Sequence, residues 1–266
     1  MSRRTQDEDF DTRIDILRTR LKDSDDKNVQ DAVFDKRTLM DLYSLASKGV
    51  IDALGGSVCT GKEANIFQAM TGEKEVALKI YRISTSNFNA MQDYLQGDPR
   101  FSSVRGTKRA IVAAWTRKEF RNLRRAEEVG IAVPHAIAMK ENILVMDLIK
   151  ADDGQVAHTL KDVDLDQEAA RAIYERIVQY ISLLYNRAQL VHADLSEFNI
   201  LYRQGEPVII DMGQSVTLDH PQARRFLERD IANVVHYFRK KYGLGSAEEI
   251  WEKLIKDKET EEKKAD

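Results

Sequence analysis

One cysteine in 266 residues excludes an internal disulfide, and with it the disulfide-stapled secreted folds. No apolar run approaches the roughly 18 residues that a bilayer-crossing helix needs, so no membrane association is expected. The first ten residues, Met1 to Phe10, are charged and hold no apolar segment, which excludes a secretory signal and points to the cytoplasm. Charge of one sign is also missing. Lys and Arg total 41 against 44 Asp and Glu, a net charge of −3 that by itself predicts no nucleic-acid partner. What is present is an apolar fraction of 42%, too high for a disordered chain, and enough length for one large domain or two lobes.

The hydrophobic period changes along the chain. Ile14, Leu17 and Leu21 recur at helical spacing inside a densely charged leader, and Leu39, Leu42 and Leu45 stripe a second helix over about 35–48 with Gly49 as its C-terminal cap. Short runs broken by Gly55-Gly56, Gly61 and Gly72 then predict a small antiparallel sheet with a turn at Thr71-Gly72-Glu73-Lys74. Val76 to Tyr81 reads as a strand. Residues 82–116 show no clear period, and so long a loop inside a domain is often functional or mobile. A helix is expected from Arg117 to Val129, and a buried strand from Ile143 to Ile149. Beyond it helices dominate. Asp164 with Gln167 resembles a capping box ahead of Ile173, Ile177, Ile181 and Leu184. Short strands at 199–202 and 208–210 precede a helix over about 222–242, and a Lys/Glu-rich tail after Leu254 is expected to fray.

The first motif is misleading. Gly56 to Lys62 spells G-x-x-x-x-G-K, but Glu63 stands where a phosphate loop needs a magnesium-binding hydroxyl, and the segment leads into a turn rather than a helix. Its glycines suit an ordinary hairpin, or one whose backbone approaches phosphates closely. Val76-Ala77-Leu78-Lys79 matches the kinase strand V-A-I-K: alternation puts small Ala77 and Lys79 on one face, the first leaving room for an adenine, the second reaching phosphates. A lysine on a strand is commonplace alone. It needs a carboxylate, and Glu119 on the predicted helix is the candidate, although most helix glutamates are merely solvated. His192-Ala193-Asp194-Leu195-Ser196-Glu197-Phe198-Asn199 then matches H-x-D-x-x-x-x-N, in which Asp194 would orient the nucleophile's proton and Asn199 would bind metal. Asp211-Met212-Gly213 ends an apolar strand and places Asp211 as a second metal ligand. Two carboxylates and an amide are hard donors suited to Mg²⁺ or Mn²⁺. His192 is read as a brace rather than a base. Together these predict an ATP-dependent phosphotransfer enzyme in an α+β, two-lobed protein-kinase-like fold: helical extension 1–48, N-lobe 49–147, C-lobe 148–255 and charged tail 256–266.

The departures are informative. Kinases usually carry Arg where Ala193 stands and Lys where Ser196 stands. No A-P-E motif follows Asp211, which leaves little room for an activation loop or a peptide platform. These features resemble the RIO kinase family, an atypical serine/threonine branch, and the short helical leader resembles its type 1 members. The runs that carry the resemblance are Cys59 to Asn65, Leu190 to Asn199, Val208 to Gln214 and Glu228-Arg229-Asp230, with Cys59 where the family usually has Ser. The resemblance implies an ATP pocket with backbone contacts at Asp147 and Ile149, and a glycine hairpin at Thr60, Gly61, Lys62, Glu63 and Ala64. It also implies a Lys79–Glu119 pair, Asp194 as catalytic residue, and Asn199 and Asp211 on metal. It further implies an ATPase-like cycle that transiently phosphorylates Asp211 during maturation of the small ribosomal subunit, which would make the precursor subunit a partner.

Nine basic residues lie between Arg100 and Arg125 (Arg100, Arg105, Lys108, Arg109, Arg117, Lys118, Arg121, Arg124, Arg125), against the single acid Glu119. Such a cluster neutralises RNA phosphates, or is simply a solvated helix face with its loop. Ser102, Ser103 and Thr107 lie among them as candidate autophosphorylation sites. Two other functions fit the motifs: a small-molecule phosphotransferase of the antibiotic-kinase type, and a catalytically silent nucleotide-gated binding module. Retention of Lys79, Asp194, Asn199 and Asp211 together argues against silence.

Overall fold

The structure, a computed structural model, describes residues 35–83, 88–101 and 106–265. The leader helix expected around Ile14 to Leu21 lies outside the described residues, as do Ser102, Ser103 and Arg105. The chain divides into two compact units. One holds the described residues up to Phe88, with 106–117 and Ala136–Leu148; the other holds 89–101, Lys118–His135 and Ile149 onward. No helix among the described residues is long and apolar enough to cross a membrane.

The first unit is a five-stranded antiparallel sheet in the order β1-β2-β3-β5-β4, with β1 Ala53–Thr60, β2 Ala64–Thr71, β3 Lys74–Tyr81, β4 Ala136–Lys140 and β5 Ile143–Asp147. Period-2 alternation explains its faces. Val76, Leu78 and Ile80 join Phe67, Ala69, Ile143 and Val145 in one core, fully buried, while Ala77 and Lys79 lie on the other side of β3. Helix α1, Lys36–Ser47, closes the core with Leu42 and Leu45, each contributing about 1.5–3 kcal/mol by burial. Asp35 caps α1 by accepting the Thr38 N–H at 2.7 Å, and Gly49, at φ 68°, ends it. Buried Asn142 donates to the Tyr81 carbonyl at 2.8 Å and accepts the Thr38 hydroxyl at 3.3 Å, tying β3, the β4–β5 turn and α1 together.

The stretch without period contains two helices. Helix α2 spans Phe88–Gln96, and helix α3 runs Lys108–Glu128, starting nine residues before the predicted Arg117. Past its exposed first residues, Lys108 and Ala110, Ile111 to Thr116 are buried without a break, so this part carries no exposed polar face to mark it.

The second unit packs α4 (Gln167–Asn186), α5 (Ala223–Tyr242) and α6 (Ala247–Ala265), with short pairs β6 (Leu190–Val191) with β9 (Val216–Thr217) and β7 (Ile200–Arg203) with β8 (Glu206–Ile209). Ile173, Ile177, Ile181 and Leu184 are buried as their spacing predicts. The cap is different: Asp166 accepts the Ala169 N–H at 2.8 Å, while Asp164 pairs with Lys241 at 2.8 Å. The tail does not fray at Leu254; α6 continues to Ala265 and is pinned by Ser182 donating to Asp257 at 2.7 Å.

After α2, Gly97 lies against the His220 ring. A Cβ there would stand 2.1 Å from the ring atoms. The ring cannot yield easily, because Nδ1 accepts the Gln222 N–H at 3.1 Å and the ring packs on Phe226. Gly97→Ala is therefore expected to cost about 1–3 kcal/mol, read as a lower urea midpoint; an unchanged midpoint would refute the contact.

Candidate active site

The glycine hairpin joins two antiparallel strands, which removes the phosphate-loop reading. Gly61 N–H donates to the Ala64 carbonyl at 2.9 Å, and a Cβ on Gly61 would meet that oxygen at 2.8 Å, so only glycine fits the turn. Thr60, Gly61 and Lys62 are exposed and Glu63 and Ala64 half-buried; Thr60 pairs with Asn65 across the hairpin. Lys79 is 5% exposed in the middle of β3, its ammonium 5.1 Å from the Tyr81 ring centroid. Asp147 ends β5 and its carboxylate bonds Lys74 at 2.7 Å. These belong to the first unit.

In the second unit Glu119 is buried on α3, and Ile149 is buried as well. The Ile149 carbonyl accepts the Ala157 N–H at 2.9 Å.

The catalytic-loop candidates converge in this unit. The Asn199 amide donates to the Asp194 carbonyl at 2.8 Å and to its carboxylate at 3.2 Å. That aims the Asn199 carbonyl oxygen away, available as a hard donor. Burial and the negative charge of Asp211 push the Asp194 carboxyl above the ordinary value. Two mutually repelling carboxylates beside an amide oxygen fit a divalent cation, which would relieve the repulsion. Among the described residues no group of three or more His, Cys, Asp or Glu forms a metal cluster; the donor set here is mixed.

His192 is fully engaged. Its Nδ1 accepts the Asp194 N–H at 3.3 Å, so Nε2 carries the proton and donates to the Ile210 carbonyl at 3.1 Å. It braces the loop to the segment before Asp211, as expected from the sequence.

Sequence reasoning assigned no role in this site to five residues that build it. Asp230, 2% exposed on α5, accepts the N–H groups of Ala193 at 2.8 Å and Leu195 at 2.9 Å. Burial pushes its pKa up to about 7, against the pull of those donors and Arg229. Ala193 sits at φ 67° and is fully buried, and Arg229 donates to its carbonyl. Gln214 donates to the Asp194 carboxylate at 3.1 Å. Lys118 and Asn122 of α3 hold the segment after Asp211: Lys118 donates to the Gly213 and Ser215 carbonyls at 2.8 and 2.6 Å, and Asn122 to Met212 and Ser215 at 2.9 and 3.0 Å. Lys118, counted in the sequence among a solvent-facing basic cluster, is thus interior. A signal existed: 111, 115, 118, 122 and 126 form one helical stripe, with Lys and Asn among apolar residues.

A RIO domain model matches residues 65–250. The chain is 45% identical over 255 residues to "RIO-type serine/threonine-protein kinase Rio1" of Haloferax volcanii, covering 96% of this chain and 85% of that one. The chain belongs to the RIO kinase family. Its type 1 relatives extend to human "Serine/threonine-protein kinase RIO1", 42% identical over 222 residues, which cover 82% of this chain and 39% of the human protein. Among solved structures, the Rio2 kinase–ADP/Mg²⁺–phosphoaspartate complex from Chaetomium thermophilum superposes with a TM-score of 0.63 at 26% identity, over 79% of this chain and 62% of that one. The fold of this RIO kinase is accordingly α+β and protein-kinase-like.

Proposed function

We propose that this RIO kinase is an ATP- and Mg²⁺-dependent serine/threonine kinase and ATPase whose hydrolytic cycle passes through phosphorylated Asp211. The observation that carries the proposal is the Asp194–Asn199–Asp211 group, held by His192, Asp230 and Gln214. Thr60, Gly61, Lys62, Glu63, Ala64 and Lys79 would contact the nucleotide, with Glu119 orienting Lys79 and the backbones of Asp147 and Ile149 meeting the base. Asn199 and Asp211 would hold Mg²⁺, which supplies charge neutralisation on the phosphates when bound.

In the kinase reaction Asp194 accepts the proton of a Ser or Thr hydroxyl as that oxygen bonds to the γ-phosphorus, and ADP leaves with the electron pair of the broken bond. In the hydrolytic cycle an Asp211 oxygen attacks the γ-phosphorus and ADP leaves. Water then attacks the acyl phosphate, Asp194 takes its proton, and phosphate departs with the Asp211 carboxylate restored. The neighbouring Rio2 complex, which contains a phosphoaspartate, supports this route.

Arg117, Arg121 and Arg124 are exposed at i, i+4 and i+7 on one face of α3, a stripe suited to RNA phosphates. With the family membership it supports a place in cytoplasmic maturation of the small ribosomal subunit, with the precursor subunit as partner; autophosphorylation, for instance at exposed Thr107, is part of the same reading.

Labelled ATP and Mg²⁺ should leave hydroxylamine-labile phosphate on the protein, absent in Asp211→Asn and consumed on chase. Label confined to hydroxylamine-stable serine or threonine would leave a conventional kinase and remove the aspartyl cycle.

A further inference from the structure

In the second unit a cavity of about 250 Å³ is lined by Arg100, Arg125, Gln189, Thr217, Leu218 and Asp219. It shares no residue with the proposed nucleotide and metal ligands. Its two guanidinium groups are held differently. Arg100 is fixed by buried Asp98, with Nε and Nη2 on the carboxylate at 2.6–3.2 Å and Nη2 also on Asn122 at 3.0 Å. Its Nη1 makes no hydrogen bond among the described residues. Arg125, half-buried, makes no hydrogen bond or ion pair among the described residues. Burial and the adjacent Arg100 charge push the Arg125 pKa down, against the pull of the Asp98 and Glu128 carboxylates. Thr217 is 8% exposed, and its hydroxyl is buried without a partner.

Two adjacent cations, one without a hydrogen bond among the described residues, and an orphaned hydroxyl at one cavity are each unfavourable without a ligand. A single anion would satisfy all three. An unpaired guanidinium fork matches phosphate oxygens two at a time. We propose that Arg125, the free edge of Arg100 and Thr217 form a binding site for a phosphate monoester dianion. A monoester offers three terminal oxygens and nearly two charges at neutral pH, one oxygen for each donor group; a nucleic-acid diester offers two oxygens and one charge. Asp219, exposed at the cavity, opposes any anion and limits the affinity.

The test is calorimetric titration of the full chain, saturated with ADP and Mg²⁺, with phenyl phosphate, dimethyl phosphate and a short single-stranded RNA. Phenyl phosphate should bind in the millimolar range or tighter. Arg125→Gln should weaken it about tenfold and Thr217→Val about threefold, while Asp219→Asn should tighten it about twofold, all with wild-type melting temperatures. No phenyl phosphate binding, or binding indifferent to Arg125→Gln and Thr217→Val, overturns the site. Dimethyl phosphate or RNA binding as tightly, with the same sensitivity to the variants, overturns the monoester assignment.

Discussion

Replacing Asp194 by alanine is expected to lower turnover by about 10²–10⁴-fold, the usual contribution of a positioned proton acceptor, with ATP affinity changed less than about threefold. The separation of the two effects follows from how the loop is held. Among the described residues the Asp194 side chain receives hydrogen bonds only from the Asn199 and Gln214 amides. Its backbone is fixed independently, through His192 Nδ1, through Asp230 at both flanking N–H groups, and through Asn199 to its carbonyl. Alanine therefore removes the proton acceptor and leaves the loop in place, so melting should move little. The raised Asp194 pKa adds a pH signature: turnover should fall with acidity at a higher pH than an ordinary aspartate would give. Steady-state phosphate release and nucleotide titration on the two proteins check both parts. Turnover within tenfold of wild type would end the catalytic assignment.

Lys118→Met should change stability in a pH-dependent way and slow turnover by about 10–100-fold, because the segment carrying Asp211 loses an anchor. Burial pushes the Lys118 pKa from 10.5 down to about 7. Between those values the unfolded chain holds a proton that the folded chain does not, so wild-type stability rises with pH across that window. Methionine has no such titration. Below pH 7 the variant escapes the cost of a buried charge, which offsets its orphaned Gly213 carbonyl. By pH 9 the offset is gone and the deficit should have grown by about 1–3 kcal/mol. Urea unfolding at pH 6 and pH 9 measures it; a deficit independent of pH would mean that Lys118 titrates alike in both states.

How far the sequence disclosed this arrangement depended on whether a residue's role leaves a periodic or spaced trace. Strand β3 and its turn at Gly72-Glu73 were legible because alternation and glycine report the backbone directly. Asp194, Asn199 and Asp211 were legible as candidates because five residues of separation on one loop and a strand-ending Asp-x-Gly are local patterns. The start of α3 was missed because the unbroken burial of Ile111 to Thr116 leaves that stretch without the polar face that marks a helix. Asp166 took the cap in place of Asp164 because cap choice is decided within two residues, closer than pattern reasoning resolves. Lys118, Asn122, Gln214 and Asp230 act on partners between 20 and 97 residues away, and no local spacing encodes such pairs.

The single cysteine has a practical consequence. Cys59 is exposed near the end of β1, one residue before Thr60 and the glycine turn, and no other thiol competes with it. A maleimide fluorophore would label one position only. The glycine hairpin could then be followed by emission and anisotropy during nucleotide exchange, without mutating the protein.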